Sequence, residues 1–541
     1  MKKLLIRIEE ITFKLDEDEK QLKNKIVNLL GIKESELLSY EIVKKAIDSR
    51  NKSNILIVYS VNLDLWNNDD FLNKKHIPRI LSNIKRHKIR LIEPFIYEIK
   101  EIDKTKLKNR PVVIGTGPSG LFCALHLALA GMNPIILERW SEVNKRVVDV
   151  HKFFTTGKLD LNSNVQFGEW WAGTFSDGKL YTLVNDPRSK FVFSEFVKAG
   201  APEEIIYSAR PHIGTDRLRW VVRNIRKKII SLGGDIRFDT MMSDLEIEYG
   251  KIKAVITNTG DRIITDDLIF GIWHSARETY EMLYNKWFDI KQKPFAVWLR
   301  IEHPRELINK SQFWDACHHI KLPTASYKLV SHHNDNRSVY SFCMCPGWHV
   351  VNASSEEWML TVNGMSEYAQ NSINSNSALL VNVMPSDFWS EHPLAGVEFQ
   401  RKWEKATFIA GWSNYNAPAQ LVWDFLDNKA STHLWNINTT FKPNLTMTNL
   451  NTCLPDFVIN AIREALPLLD KKIKWFADRD AILIWIEART SAVIRFTRDE
   501  KCESNISWAY PTWEWAWYAW WITSSSIDGL IVAENVVRKY V

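Results

Sequence analysis

Gly115, Gly117 and Gly120 form a G-x-G-x-x-G run between a short apolar stretch, Val112–Ile114, and a helical pattern from about Ser119 to Ala130 that Gly131 ends. Pro134–Leu137 then reads as a second buried strand, closed by Glu138. Each part has a physical task. Gly115 permits a tight turn, Gly117 lets backbone approach a pyrophosphate, and Gly120 lets helix and strand pack closely. The helix N-terminus, opened by Pro118 and Ser119, offers unpaired N–H groups and the positive end of a dipole to phosphates. Glu138 stands where a carboxylate accepts ribose hydroxyls, and Arg139 follows it. Alone, the glycine pattern is weak. With strand, glycines, helix, strand and acid in order, the segment predicts a dinucleotide site.

Other residues carry chemistry less decisively. The Gly-rich loop Phe167–Lys179 contains Gly168, Gly173, Thr174, Ser176, Asp177 and Lys179, whose polar members either bond a cofactor or cap the next turn. Cys343-x-Cys345, beside Pro346-Gly347, reads either as a redox or substrate-contacting pair or as two strand thiols, since C-x-C lacks the helical C-x-x-C geometry. His274 reads as structural. No Ser-His-Asp set or metal-ligand spacing stands out, so no metal is expected.

The elements that must position these residues belong to a long chain. Its 541 residues imply two to four domains, and 45% hydrophobic with 25% charged residues exclude disorder as the main state. No run approaches the roughly 18 uncharged apolar residues of a membrane span. The opening MKKLLIRIEEITFKL meets acids too early for a signal peptide, and the six scattered cysteines form no disulfide framework. These features predict a cytoplasmic protein.

Residues 1–110 hold 24 Lys and Arg against 17 Asp and Glu, a net +7, so the remaining 431 residues sum to −1. LLIRIEEITFKL and NILIVYSVNLDL read as strands, DEDEKQLKNKIVNLLGI as an amphipathic helix, and a helix near His76–His87 precedes a strand over Ile89–Ile99. The pattern is that of a small ferredoxin-like α/β domain. Its basic residues are interleaved with acids and lack aromatic partners, which favours a solvated surface over a nucleic-acid contact.

From about residue 110 onward the chain resembles the FAD-dependent dehydrogenases of glutathione-reductase-like fold, a group largely uncharacterised in activity. The resemblance is carried by NVQFGEWWAGTFSDGKL (164–180), AGAPEEIIYSARPHIGTDRLR (199–219), KPFAVWLRIEHP (293–304), YSFCMCPGW (340–348), NGMSEYA (363–369), NYNAPAQL (414–421) and YPTWEWAWYAWWITSSSIDG (510–529). It implies an α/β fold: a Rossmann-like FAD-binding domain over 106–298 and 475–541, an inserted α+β substrate domain over 299–474, and the N-terminal domain over 1–105. It implies FAD as cofactor, a small-molecule substrate, and NAD(P)H as a candidate transient reductant. Trp273, Trp513, Glu514, Trp515 and Ala516 join the glycines, Glu138 and the 168–177 residues as expected cofactor contacts. Arg300, Glu302, His303 and Arg489 are polar residues of matched segments. An FAD-containing RNA-binding or RNA-modifying protein is the alternative.

One ratio conflicts with this picture: 24 Trp against 21 Gly, where about 7% Gly would give roughly 38. The related sequences have glycine where this chain has tryptophan, as FGEGGAGTFSDGK for FGEWWAGTFSDGK and YPTGEGAGYAGGITS for YPTWEWAWYAWWITS. The same replacement recurs at Trp140, Trp273, Trp287, Trp298, Trp348, Trp358, Trp389, Trp412, Trp423, Trp435, Trp475, Trp485 and Trp508. With Trp170, Trp171, Trp513, Trp515, Trp517, Trp520 and Trp521 the positions number 20, and restoring them gives 41 glycines. Trp66, Trp220, Trp314 and Trp403 read as genuine. Five indoles in Trp513–Trp521 suit no loop that must approach a flavin closely. The expectation is a gene that uses UGA for glycine, translated with UGA as tryptophan.

Overall fold

The computed structural model describes residues 4–66, 87–170, 175, 178–180, 182, 184–333, 337–489, 491–512 and 522–541. The chain divides into two units. The first comprises Met1–Glu98, Pro202–Pro211 and Gln312–Ala325. In it, β1 (Leu5–Lys14) turns Ile6, Ile8, Ile11 and Phe13 inward, with a bulge between Ile8 and Ile11 resetting the alternation. Helix α1 (Leu22–Leu30) buries Leu22, Ile26 and Leu30 at four-residue spacing, and Gly31 ends it at φ +65°. Strands β2 (Leu37–Asp48), β3 (Leu56–Leu65) and β4 (Arg90–Ile92) complete an antiparallel sheet of order β2-β3-β1-β4.

Strand β2 was not expected. It is an edge strand whose side chains are mostly exposed or half-buried, so it lacks the apolar alternation that marks a strand with one buried face. The strand expected over Ile89–Ile99 is confined to Arg90–Ile92. The helix expected near His76–His87 lies outside the described residues, apart from His87.

The second unit comprises Ile99–Ala201, His212–Ser311 and Ser326–Val541. Its elements run β5 (Val112–Ile114), α2 (Pro118–Leu129), β6 (Ile135–Leu137), α3 (Val143–Thr156), α4 (Thr215–Ser231), β7 (Asp235–Arg237), β8 (Met242–Glu248), β9 (Lys251–Thr257), β10 (Arg262–Ile264) and β11 (Leu268–Phe270). There follow α5 (Arg277–Asn285), β12 (Phe295–Pro304), β13 (Val330–Ser331), β14 (Val339–Cys345), β15 (Asn374–Val383), α6 (Ala395–Ala410), β16 (Ala417–Leu421), β17 (Leu445–Met447), β18 (Ile482–Glu487), β19 (Ala509–Pro511) and α7 (Ile522–Arg538). A parallel sheet of order β19-β11-β5-β6-β7 places the glycine-rich turn at the end of its central strand. Strands β8 to β10 form a separate antiparallel sheet between β7 and β11. A seven-stranded sheet of order β13-β14-β15-β12-β18-β16-β17 lies between α5 and β19 in sequence, so it continues past residue 474 to take in β18.

Helix α2 is buried over almost its whole length, as its eleven enclosed residues show, and it meets α7 without room for a side chain. A Cβ on Gly529 would stand 2.1 Å from the Ser119 carbonyl oxygen, inside any van der Waals contact. Backbone geometry elsewhere is unusual in one respect. Among the described residues, seven of the eighteen non-glycine positions in left-handed backbone are tryptophans: Trp170, Trp287, Trp314, Trp358, Trp412, Trp475 and Trp508, at φ between +49° and +70°. A few per cent is usual for non-glycine residues, and bulky ones are outliers.

Because neither backbone at Gly529 can retreat from the buried α2, Gly529→Ala is expected to destabilise by about 1–3 kcal/mol or more. Thermal unfolding followed by far-UV circular dichroism should show the midpoint falling by several degrees; an unchanged midpoint would mean that the two helices do not touch here.

Candidate functional site

The cleft above β5 and β6 is built by backbone. Gly115 turns at φ +93° and its N–H bonds the Leu137 carbonyl at 2.8 Å. A Cβ on Gly115 would meet the Gly271 oxygen at 2.6 Å, and one on Gly120 the Gly115 oxygen at 2.1 Å. Turn, helix and the exit of β11 therefore touch through glycine. Gly117 is different: at φ −65°, ψ 175° it is extended and caps α2, with Pro118 at the first helical position. Any residue could adopt that conformation, so its use is to keep the helix end open.

Glu138 forms part of the cleft wall. Its carboxylate accepts from the Thr116 N–H at 2.9 Å, from the Thr116 hydroxyl at 2.5 Å and from the Trp140 N–H at 3.2 Å. Burial pushes its pKa above the ordinary carboxylate range, against the pull of these bonds. Arg139 extends outward to Glu278 at 2.7 Å. Gly168, at φ +128°, joins Gly115, Gly117 and Glu138 in the wall.

Two indoles close this cleft. Trp140 stacks on Phe167 with ring centroids 3.9 Å apart and planes 7° from parallel, and Trp273 packs into the same buried cluster. The cavity left is 40 Å³, room for roughly three waters, where a ligand pocket needs several hundred. The backbone cradle and Glu138 fit a dinucleotide; the side chains at 140 and 273 do not.

Sequence reading missed the residue that holds the loop beside the cleft. Arg146, on α3, is fully buried and donates to the carbonyls of Asn164 at 2.7 Å, Val165 at 2.6 Å and Glu169 at 3.0 Å. Burial lowers its pKa to about 9, opposed by the charges of Glu138 and Glu169. Gly168 is glycine partly for this reason, since a Cβ there would stand 2.5 Å from Arg146 Cδ. Glu169 accepts the first N–H of α3, from Val143, at 3.0 Å. A single arginine on an amphipathic helix gives no pattern to read; only the three carbonyls, brought together by folding, reveal it.

The C-terminal expectations lie mostly outside the described residues. Gly173, Thr174, Ser176, Asp177, Trp513, Glu514, Trp515 and Ala516 all fall there. Residues beside the second of these segments are anchored: Ser119 Oγ lies 2.6 Å from Thr512 Oγ1, Thr512 donates to Asp528 at 2.8 Å, and Arg498 pairs with Asp528 at 2.7 Å. His274 is buried with its ring kept neutral by desolvation, and its Nε2–H donates to the Arg489 carbonyl at 2.5 Å. Arg489 and Arg277 share the buried carboxylate of Glu404 at 2.6 and 2.8 Å. Glu302 accepts from Thr439 and from the Thr440 N–H, and His303 donates to the Phe476 carbonyl at 2.7 Å. These are bonds that hold the second unit together, away from the cleft lining.

The chain is 43% identical over 544 residues to an uncharacterised protein of Clostridium beijerinckii (strain ATCC 51743 / NCIMB 8052), covering 99% of each. The two belong to one family. Within this family member, residues 294–490 match a family described as FAD-dependent protein, C-terminal domain-like, and residues 5–64 match a domain of unknown function, DUF8436. Among solved structures it is similar to L-proline dehydrogenase from P. horikoshii, at 11% identity over 80% of this chain and 95% of that one with a TM-score of 0.37. It is similar also to glycine oxidase from Bacillus cereus ATCC 14579, at 10% identity, 80% and 95% coverage and a TM-score of 0.34. Likenesses this weak decide nothing about its chemistry. Among the described residues no helix is long and apolar enough to cross a membrane.

Replacing the Arg146 head group should release the 164–169 loop. Arg146→Met leaves three buried carbonyls without their donor, at roughly 1–3 kcal/mol each before relaxation. Limited proteolysis is expected to cut between residues 158 and 170 in this variant and to spare that stretch in the parent; equal resistance would assign the loop's order to something else.

Proposed function

We propose that this protein is an FAD-dependent oxidoreductase acting on a small molecule, and that its functional form carries glycine at the 20 tryptophan positions, through UGA read as glycine. The observation that carries the proposal is the cleft itself. Its backbone and its acid suit the adenosine and pyrophosphate of a dinucleotide, and the two side chains that block it, Trp140 and Trp273, are both among the 20. One substitution thus accounts for the resemblance and for the fit.

Two further facts support it. Six of the 20 positions, Trp170, Trp287, Trp358, Trp412, Trp475 and Trp508, lie in left-handed backbone, where glycine is the default residue and any other costs about 1–3 kcal/mol. The indole N–H groups of Trp140, Trp298 and Trp348 find no acceptor among the described residues although buried, a further cost that glycine would remove. Trp314, read as genuine from the sequence, is also left-handed at φ +49°, and becomes a twenty-first candidate. The match of residues 294–490 to an FAD-dependent family supports the choice of FAD among dinucleotides.

In this reading residues 106–298 and 475–541 form the FAD-binding part, 299–474 the substrate domain and 1–105 the N-terminal domain. Gly115, Gly117, Ser119 and Gly120 would hold the pyrophosphate and Glu138 the ribose, with Gly168, Gly173, Thr174, Ser176, Asp177 and residues 513–516 around the ring. Bound FAD would supply two-electron chemistry, with NAD(P)H the candidate reductant. The comparisons lend the RNA alternative no support.

Peptide mass spectrometry of the chain isolated from the cells that encode it is expected to find glycine at 140 and 273, with UGA at those codons; UGG there would end the recoding proposal. Protein expressed with glycine at all 20 positions is expected to retain FAD, and returning tryptophan at 140 and 273 alone should abolish that retention. A folded glycine form that holds no flavin would refute the cofactor assignment.

A further inference from the structure

Strand β14 ends in Phe342-Cys343-Met344-Cys345, and its geometry there is not that of a regular strand. Two residues of extended chain span roughly 6.6 Å, too far for their side chains to join. Here a bulge interrupts the pairing of β14 with β15 between Phe342 and Cys345, and Cys343 adopts φ +45°. The two sulfurs consequently stand 3.9 Å apart. A disulfide needs roughly 2 Å between sulfurs, so the pair stands near bonding distance without being joined.

Two cations face this pair from other elements. Lys179, buried at the end of the Gly-rich loop, donates from Nζ to the Met344 carbonyl at 2.7 Å and lies 3.6 Å from Cys343 Sγ and 3.8 Å from Cys345 Sγ. Arg300 on β12, fully enclosed, donates from Nη1 to the Cys343 carbonyl at 3.1 Å and to Cys345 Sγ at 3.4 Å, while Glu487 takes its other edge at 2.6 and 3.1 Å. The Cys345 thiol donates to the Cys343 carbonyl at 2.8 Å. Gly364 leaves the room, since a Cβ there would lie 2.8 Å from Cys345 Sγ and 2.9 Å from Arg300 Nη1. Cations beside a thiol favour the thiolate, the form that reacts. Cys345 is wholly enclosed and Cys343 is partly exposed, so Cys343 is the member of the pair nearer solvent.

We propose that Cys343 and Cys345 form a redox-active dithiol that reduces low-molecular-weight disulfides. The Cys343 thiolate attacks one sulfur of R–S–S–R; the Cys343–S–S–R bond forms as the substrate bond breaks, and RS⁻ leaves. Cys345 then gives up its proton and attacks Cys343 Sγ, forming the Cys343–Cys345 disulfide and expelling the second RS⁻. Two electrons and two protons have passed from the protein dithiol to two RSH. Lys179 and Arg300 are the groups that stabilise the thiolates, and Lys179 is anchored on a backbone carbonyl that no change at Trp348, whose ring it also faces at 4.6 Å, removes. The reaction needs only the disulfide, so it stands apart from the FAD reading.

The full-length chain, reduced and then exposed to 2-hydroxyethyl disulfide without oxygen, tests this by peptide mapping. The parent is expected to yield a Cys343–Cys345 disulfide, lighter by two hydrogens, and Cys345→Ser to trap the mixed disulfide on Cys343. Lys179→Met should slow attack at Cys343 several-fold, Lys179→Arg should restore it, and the partly exposed Cys317 should react at one rate in all forms. A mixed disulfide that persists on Cys343 in the parent, or a Cys343 no faster than Cys317, overturns the proposal. If Lys179→Met fails to fold, the parent and Cys345→Ser decide it alone.

Discussion

Close contact between backbones governs the second unit. Helix α2 touches the Gly115 turn through Gly120, the exit of β11 through Gly271, and α7 through Gly529; a Cβ would stand between 2.1 and 2.9 Å from main-chain atoms at each of these three. No repacking of side chains relieves such contacts, because the atoms in the way are carbonyl and Cα atoms of buried segments. The parallel sheet, the helix crossing it and the C-terminal helix are therefore fixed relative to one another by the absence of side chains. This same closeness leaves the amide end of α2 open toward the cleft, so the packing constraint and the candidate binding surface are one feature.

Much of this was legible in sequence, and for physical reasons. The βαβ unit declares itself through glycines, because only glycine tolerates the contacts. Features that depend on one strand meeting another were not legible. Strand β2 carries no alternation because it lies at an edge. Arg146 reads as one more basic residue of an amphipathic helix until its three carbonyls are in place. The cysteine pair was recognised as a motif, but its reactivity depends on Lys179 and Arg300, which lie far from it in sequence.

The tryptophans separate these two kinds of information. The family resemblance implies glycine at 20 of them without reference to conformation, whereas left-handed backbone marks a subset without reference to any relative. The two overlap at six positions and disagree at Trp314. Positive φ marks turns and caps, where glycine is chosen for its conformation. Trp140 and Trp273 have no such geometry, and there the case for glycine rests on volume: two indoles occupy the cavity between Glu138 and Gly168. Glycine has two distinct uses, freedom of φ and lack of bulk, and the proposal draws on both.

The buried polar groups outside the cleft bear on where chemistry can reside. Arg277 and Arg489 are neutralised by Glu404 and Glu356, Glu302 is bonded by two threonines, and His303 and His274 are held neutral with a backbone acceptor each. The His303 ring is lowered to about 4 by burial, so near neutral pH it neither carries charge nor, with its Nε2 proton committed to Phe476, shuttles one. Groups satisfied in this way fix a fold. The cysteine pair differs because its sulfurs are polarisable and near each other, and because both cations approach from separate segments. Lys179 comes from the end of the Gly-rich loop and Arg300 from the central strand of the seven-stranded sheet. Displacing Lys179 alone would therefore change the charge beside Cys343 directly, with no chain of intermediate contacts between the two groups.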